Sequence, residues 1–142
     1  MSNDTEIKDK VREDVYDEEL LNRLLDGNDI DQFRDEFLSM HNYEQSEYFE
    51  DTDEEKRQKI FEFLSPSEVA DFFDHLDIDD EEYEELFDNI NANYASHILE
   101  EMSYDNAVDI LNELSKPKVA SLLTLMNNED ANEIKALLHY EE

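Results

Sequence analysis

Carboxylates are the one chemically capable group this sequence holds in quantity. Of its 142 residues, 42 are Asp or Glu against 11 Lys or Arg, a formal net charge of −31 with histidine neutral. Such a surface suits hard divalent cations, Mg²⁺ or Ca²⁺, and basic protein segments. One pair has useful spacing on its own account. Asp105 and Asp109 stand four apart in M-S-Y-D-N-A-V-D, so on a helix they share a face. Like charges placed so repel by about 0.2–0.5 kcal/mol, and a divalent cation converts that repulsion into attraction. Mg²⁺ keeps several waters and takes one or two carboxylates directly, so dispersed acids fit it better than a closed cage does. Spacing alone does not single the pair out. Asp105 reads equally as a first-turn acid facing the helix dipole, and Asp109 as part of a solvated face.

Other chemistries find little footing. A single Gly cannot build a phosphate-cradling loop, and no Ser sits in a Gly-x-Ser-x-Gly elbow. Cys is absent, which removes thiol nucleophiles, thiolate zinc sites and disulfides, and is compatible with a reducing compartment. The four histidines, His41, His75, His97 and His139, show no i, i+4 pairing and no His-Glu-x-x-His motif. Residues 74–85 hold Asp77, Asp79, Asp80 and Glu81 but lack the central Gly of a calcium loop. They read as a turn with acids at the start of the next helix. An enzyme is not expected. The charge disfavours nucleic acid and anionic membrane surfaces as partners. No apolar run approaches the roughly 18 residues of a membrane helix, and the charged start has no signal-peptide character.

The elements that must position the acids follow from the apolar residues. Across residues 64–138 one pattern recurs about every twelve residues: an apolar anchor, a small polar residue, a helical stretch and an apolar pair. The anchors are Leu64, Leu76, Ile90, Met102, Leu114, Met126 and Leu138, twelve apart except for the fourteen-residue step from Leu76 to Ile90. The two extra residues fall in the acidic turn after Leu76. Stepping backwards from Leu64 meets Thr52 and Met40, with Ile60-Phe61 and Tyr48-Phe49 in the phase of Phe72-Phe73, Leu86-Phe87, Ile110-Leu111 and Leu122-Leu123. Ser65, Asn91, Ser103, Ser115 and Asn127 mark helix starts, and Ser65-Pro66-Ser67-Glu68 is a capping box. Caps this close leave about nine helical residues each, too few to stand alone, so the helices must stack. Ala70, Ala95, Ala107, Ala120 and Ala131 would let neighbours approach closely. Upstream, helices are expected over 15–25 and 30–40, the second with Ile30, Phe33, Phe37 and Leu38 as its apolar face. Gly27 is expected to supply a left-handed C-terminal residue between them. The fold class is all-α: a curved, right-handed solenoid-like superhelix of short helices, although periodicity does not fix the hand. Residues 1–14 are expected to be a disordered tail and 15–142 the domain.

These residues resemble a known family. The motif F-L-S-P-S-E-V-A-D-F-F-D-H-L, the order of the repeats, the preceding helix pair and the ending A-L-L-H-Y-E-E are similar to the cytosolic N-terminal domain of MgtE-type magnesium transporters. The likeness spans about Val15 to Glu142. It implies a superhelix of short helices, continued in the natural chain by a pair of CBS domains and a transmembrane part. It also implies a Mg²⁺ sensor on the cytoplasmic side of the bacterial membrane, in a homodimeric transporter. Mg²⁺ between this domain and the CBS domains of the same protein would hold the cytosolic part closed, and low Mg²⁺ would release it. Matched along the repeat, the family's acidic ligands fall on Asp71, Asp105 and Asp109. Where the family often has a second acid after the first, this chain has Asn106, an uncharged donor. Neither nucleic acid nor direct membrane contact by this segment is expected. Two other classes stay open from the residues alone: an acidic helical-repeat adaptor for a basic partner, and a Ca²⁺-binding or buffering protein.

Overall fold

The computed structural model describes residues 16–138, so the expected tail over 1–14, Val15 and the closing residues 139–142 lie outside the described residues. Among those described there are ten α-helices and no strand. In order they are α1 (Glu18–Asp26), α2 (Ile30–Leu38), α3 (Asn42–Glu50), α4 (Glu54–Phe63), α5 (Pro66–Phe73), α6 (Asp80–Asp88), α7 (Ala92–Glu101), α8 (Tyr104–Leu111), α9 (Lys116–Leu125) and α10 (Asn128–Leu137). They form two compact units that divide between Leu64 and Ser65.

Local chemistry explains the boundaries. Ser65, Asn91, Ser103, Ser115 and Asn127 are all N-caps whose side chains accept a backbone N–H of the first turn. At Ser65 the box is reciprocal: Ser65 Oγ accepts from the Glu68 N–H at 3.2 Å, and the Ser65 N–H donates to Glu68 Oε1 at 2.9 Å. The two extra residues do lengthen the turn between α5 and α6, which runs from residue 74 to 79. Asp80, Glu81 and Glu82 then occupy the first turn of α6, where the dipole favours them.

The first unit is α1–α4. Its core is aromatic: Phe33 stacks on Phe37 at 5.1 Å between ring centroids and meets Phe63 edge-on at 5.7 Å. Every helix leaves its last carbonyls without an intrahelical donor, and here a side chain from another helix bonds one or two of them. Lys59 Nζ donates to Leu25 O of α1, and Gln45 Nε2 donates to Phe37 O of α2. Arg57 donates to Phe49 O and Glu50 O of α3, and Arg34 Nη1 donates to Phe63 O of α4.

The second unit is α5–α10. Here packing skips one helix: α5 lies on α7, α7 on α9, and α8 on α10. The apolar pairs from Phe72-Phe73 to Leu122-Leu123 are buried, as are Ile134 of α10 and the anchors Ile90, Met102, Leu114 and Met126. Tyr104 of α8 donates its hydroxyl to Asp130 Oδ1 of α10 at 2.6 Å, and Asn127 Nδ2 donates to Asp130 Oδ2 at 2.6 Å. These two bonds hold the Asp130 carboxyl below the usual carboxylate range. The same bond, followed by burial and nearby acids, pushes the Tyr104 hydroxyl up to about 12. For Asp130 the folded value is the lower one. Its contribution is therefore present above the ordinary carboxylate range and lost as pH falls through the depressed value. Tyr104→Phe should move the Asp130 carboxyl back up in a carbon-detected NMR titration, and an unmoved titration would show that Tyr104 does not set it.

Several expectations are corrected. Gly27 has an ordinary φ of −89°, and Asn28 carries the left-handed conformation at φ 56°. The Asn28 N–H bonds Leu25 O and the Asp29 N–H bonds Leu24 O, a Schellman motif in which Asn serves because its short polar side chain tolerates that region. Helix α1 starts at Glu18, capped by Asp17, and α2 stops at Leu38. Phe33 and Phe37 form the buried face of α2, whereas Ile30 and Leu38 are exposed. Ile30 is the first residue of the helix, and Leu38 lies about 100° round from Phe37. Among the repeat positions, Leu76 and Leu138 are only half-buried, and Ala120 is exposed.

Candidate functional site

The three acids matched by the repeat all lie in the second unit. Asp71 is on α5, in the turn before its end; Asp105 and Asp109 are on α8, one turn apart. All three are exposed, because the buried positions beside them are Val69, Ala70, Phe72 and Phe73 in α5 and Ala107, Val108, Ile110 and Leu111 in α8.

A direct contact ties α5 to α8 at this place. Asn106 Nδ2 donates to Asp74 Oδ1 at 3.1 Å, and Asp74 is the C-cap of α5. Asp71 stands three residues before Asp74, and Asp109 three after Asn106. On helices such spacings are neighbours, so both acids stand about one turn from the bond. Sequence reading marked Asn106 only as an uncharged place among acids. Its partner, 32 residues away, had no local signal.

A second acidic contact adjoins the first. Glu113, half-buried just beyond α8, is pushed above the usual carboxylate range. Burial is the main cause, then the charge of Asp80, a hydrogen bond with Asp80, and the charge of Asp109. Two carboxyls that share a bond do so by holding a proton between them.

The donor set is oxygen throughout, which suits a hard cation. Among the described residues no three His, Asp or Glu side chains converge as a metal cage. Of the histidines only His75, which directly follows Asp74, adjoins this patch. His41 is the N-cap residue of α3, His75 is exposed, His97 bonds Glu100 at 3.1 Å, and His139 lies outside the described residues. No helix among the described residues is long and apolar enough to cross a membrane.

Comparison with known proteins agrees with the repeat. The family model described as the MgtE intracellular N domain matches residues 40–142, starting at the residue where stepping the repeat backwards from Leu64 ends. A protein named "Magnesium transporter MgtE" from Enterococcus faecalis (strain ATCC 700802 / V583) is 42% identical over 123 residues. That match covers 87% of this chain and 27% of the relative. A solved structure titled "Crystal structure of the soluble part of a magnesium transporter" superposes with a TM-score of 0.82 at 42% identity, covering 88% of this chain and 49% of the other. The chain thus spans about a quarter of the curated relative's length and about half of the solved chain. With its model match over residues 40–142, this chain belongs to the MgtE intracellular N-domain family.

Proposed function

We propose that the domain senses Mg²⁺ for a magnesium transporter of which it forms the N-terminal, cytoplasmic part. Mg²⁺ would bridge its exposed acids to CBS domains of the same polypeptide, within a homodimer, and hold the cytosolic part in a closed state. Low Mg²⁺ would leave like charges facing each other and release the domain. The observation that carries this reading is the placement of Asp71, Asp105 and Asp109. They are exposed, and the Asn106–Asp74 bond joins their two helices. The names of the relatives supply the ion and the process.

The test is thermal. A cation bound by the folded state stabilises it by mass action; at ten times the dissociation constant this is about 1.4 kcal/mol, or about 3–6 °C. Mg²⁺ should raise the melting temperature more than NaCl of equal ionic strength, and Asp71→Asn/Asp105→Asn/Asp109→Asn should remove the excess. Equal shifts would reduce the effect to screening and sink the reading. A larger response to Ca²⁺ at the same three residues would favour a calcium-binding role instead. Calorimetry of this chain alone should show weak Mg²⁺ binding, because the facing ligands lie on another domain.

A further inference from the structure

One carboxylate of the first unit is buried without a counter-charge. Glu44, in the first turn of α3, is only 4% exposed. Its Oε1 accepts the His41 N–H at 3.0 Å, its half of a capping box. Its Oε2 has no hydrogen-bond donor among the described residues, and no Lys, Arg or His there forms an ion pair with it. Capping does not require such burial: Glu68 fills the same place in the Ser65 box and is half-buried. A charge taken out of water is ordinarily paired or ligated, so Glu44 is matched for a cation that the described residues do not supply.

There is space for one. Glu44 lines a cavity of about 210 Å³ formed by α1, α2 and the start of α3, wholly within the first unit. Two further acids line it, Asp17 and Glu36, and both are exposed. No Lys or Arg is on the lining. The Tyr16 hydroxyl, on the same lining, is pushed up to about 12 by burial and then by the charges of Glu47, Glu18, Asp51 and Glu44. Among the described residues no three His, Asp or Glu side chains converge as a metal cage, so these acids are spread rather than gathered on one point. Leu21, Met40 and the Tyr16 ring complete the wall with apolar surface. Spread acids beside an apolar wall suit a cation with separated charges and a hydrocarbon body. The volume falls below the about 300–1,000 Å³ of pockets for drug-sized ligands, which limits that body to a short chain. We infer that this cavity binds a short aliphatic diamine, one ammonium at Glu44 and the other at Asp17 and Glu36, with its methylenes against Leu21 and Met40. An ammonium carries three donors and no acceptor, which matches a carboxylate oxygen left without a donor. The site shares no residue with Asp71, Asp105 and Asp109 and does not depend on the Mg²⁺ reading.

The probe is 1,4-diaminobutane, titrated at constant ionic strength into the ¹⁵N-labelled 142-residue chain. Amides of residues 16–21 and 36–44 should shift saturably. Butylamine, with one charge, should bind at least about tenfold more weakly. Glu44→Gln keeps a side-chain oxygen for the His41 N–H, so the capping box survives. With helical melting retained by circular dichroism, it should weaken diamine binding at least about tenfold. Glu36→Gln, at an exposed position outside the box, should weaken it as well, so the result does not hang on Glu44 alone. Glu129→Gln/Glu133→Gln, which removes two exposed charges from the second unit, should leave it unchanged. Equal losses in the first-unit and second-unit variants would overturn the inference, since overall acidity would then gather the amine. So would equal binding of butylamine, shifts centred on other helices, or no saturable shift. Mg²⁺ that displaces the diamine at equal ionic strength, with shifts at the same amides, would assign the cavity to a metal ion. Diamine binding that appears only in Lys8→Gln/Lys10→Gln/Arg12→Gln would assign it to the basic residues that precede Tyr16 in the chain. Either result would also overturn it.

Discussion

Arg57→Ala should cost the first unit about 3 kcal/mol of stability, and Arg57→Lys should recover less than half of it. Arg57 is only 8% exposed in a unit otherwise crowded with acids. Its Nη2 donates to Glu50 O at 3.0 Å, and its Nε reaches Phe49 O at 3.3 Å. The guanidinium also lies 4.7 Å from the centroid of the Phe49 ring. Alanine would remove the donor to Glu50 O, at about 1–3 kcal/mol for a buried unsatisfied group, whereas Phe49 O keeps the N–H and the hydroxyl of Thr52. Loss of the cation–π contact adds about 0.5–2 kcal/mol, and loss of the packed side-chain stem adds more. Water reaching Glu50, which is half-buried, offsets part of the sum. Lysine restores charge but not the planar fork that serves two carbonyls and a ring together. Hydrogen exchange at the α3 amides, alongside urea unfolding, reads the effect in this unit. A loss below about 1 kcal/mol would mean that water satisfies Glu50 O as well as Arg57 does.

Arg57 also marks the limit of what could be read from the chain. The helix starts were legible because a cap is local: Ser65 and Glu68 are three residues apart, and the hydroxyl, the carboxylate and the two N–H groups belong to one turn. The buried anchors and pairs were legible because a period of twelve repeats the same environment. Even the insertion at residues 74–79 was visible as a break in that period. The helix ends were not. Their carbonyls are met by Lys59, Gln45, Arg57 and Arg34, which lie between 7 and 34 residues away and look in sequence like ordinary surface polar groups. Asn28 outcompeted Gly27 for the left-handed position because the Schellman bonds fix which residue must turn, and composition does not. Ala120 stands six residues after its anchor, in the phase of the buried Ala70, Ser96 and Val108 and one residue later than Ala95, Ala107 and Ala131, yet it is exposed, which the period does not decide. The candidate site divides in the same way. Asp105 and Asp109 share a face by spacing alone, and Asp71 entered through the family likeness. The Asn106–Asp74 bond that joins their helices needed the fold.

That bond gives the sharpest test of the Mg²⁺ reading, through Asn106→Asp. Asn106 is now a donor to a carboxylate. The substitution keeps the size of the side chain and replaces the donor with a second carboxylate facing Asp74 at hydrogen-bond distance. Without divalent cation, at pH 7, the second unit should lose about 1–2 kcal/mol: one hydrogen bond, plus repulsion between charges about 3 Å apart in a partly solvated place. Two carboxylates so placed cannot both ionise freely, so one of them should titrate above the usual range. That raised value fixes the sign with pH. The protonated pair is the tolerated one, so the cost should shrink as pH falls below the raised value and reach its full size above it. Millimolar Mg²⁺ should remove most of the cost at pH 7, because an added acid turns a hydrogen-bonded contact into a two-carboxylate cation site. The variant should then respond to Mg²⁺ more strongly than the parent chain. The measurement is urea unfolding of parent and variant, each with Mg²⁺ and with NaCl of equal ionic strength. A cost that Mg²⁺ and NaCl reduce equally would show that this junction of α5 and α8 gathers no cation, and the proposed sensing surface would have to lie elsewhere on the domain.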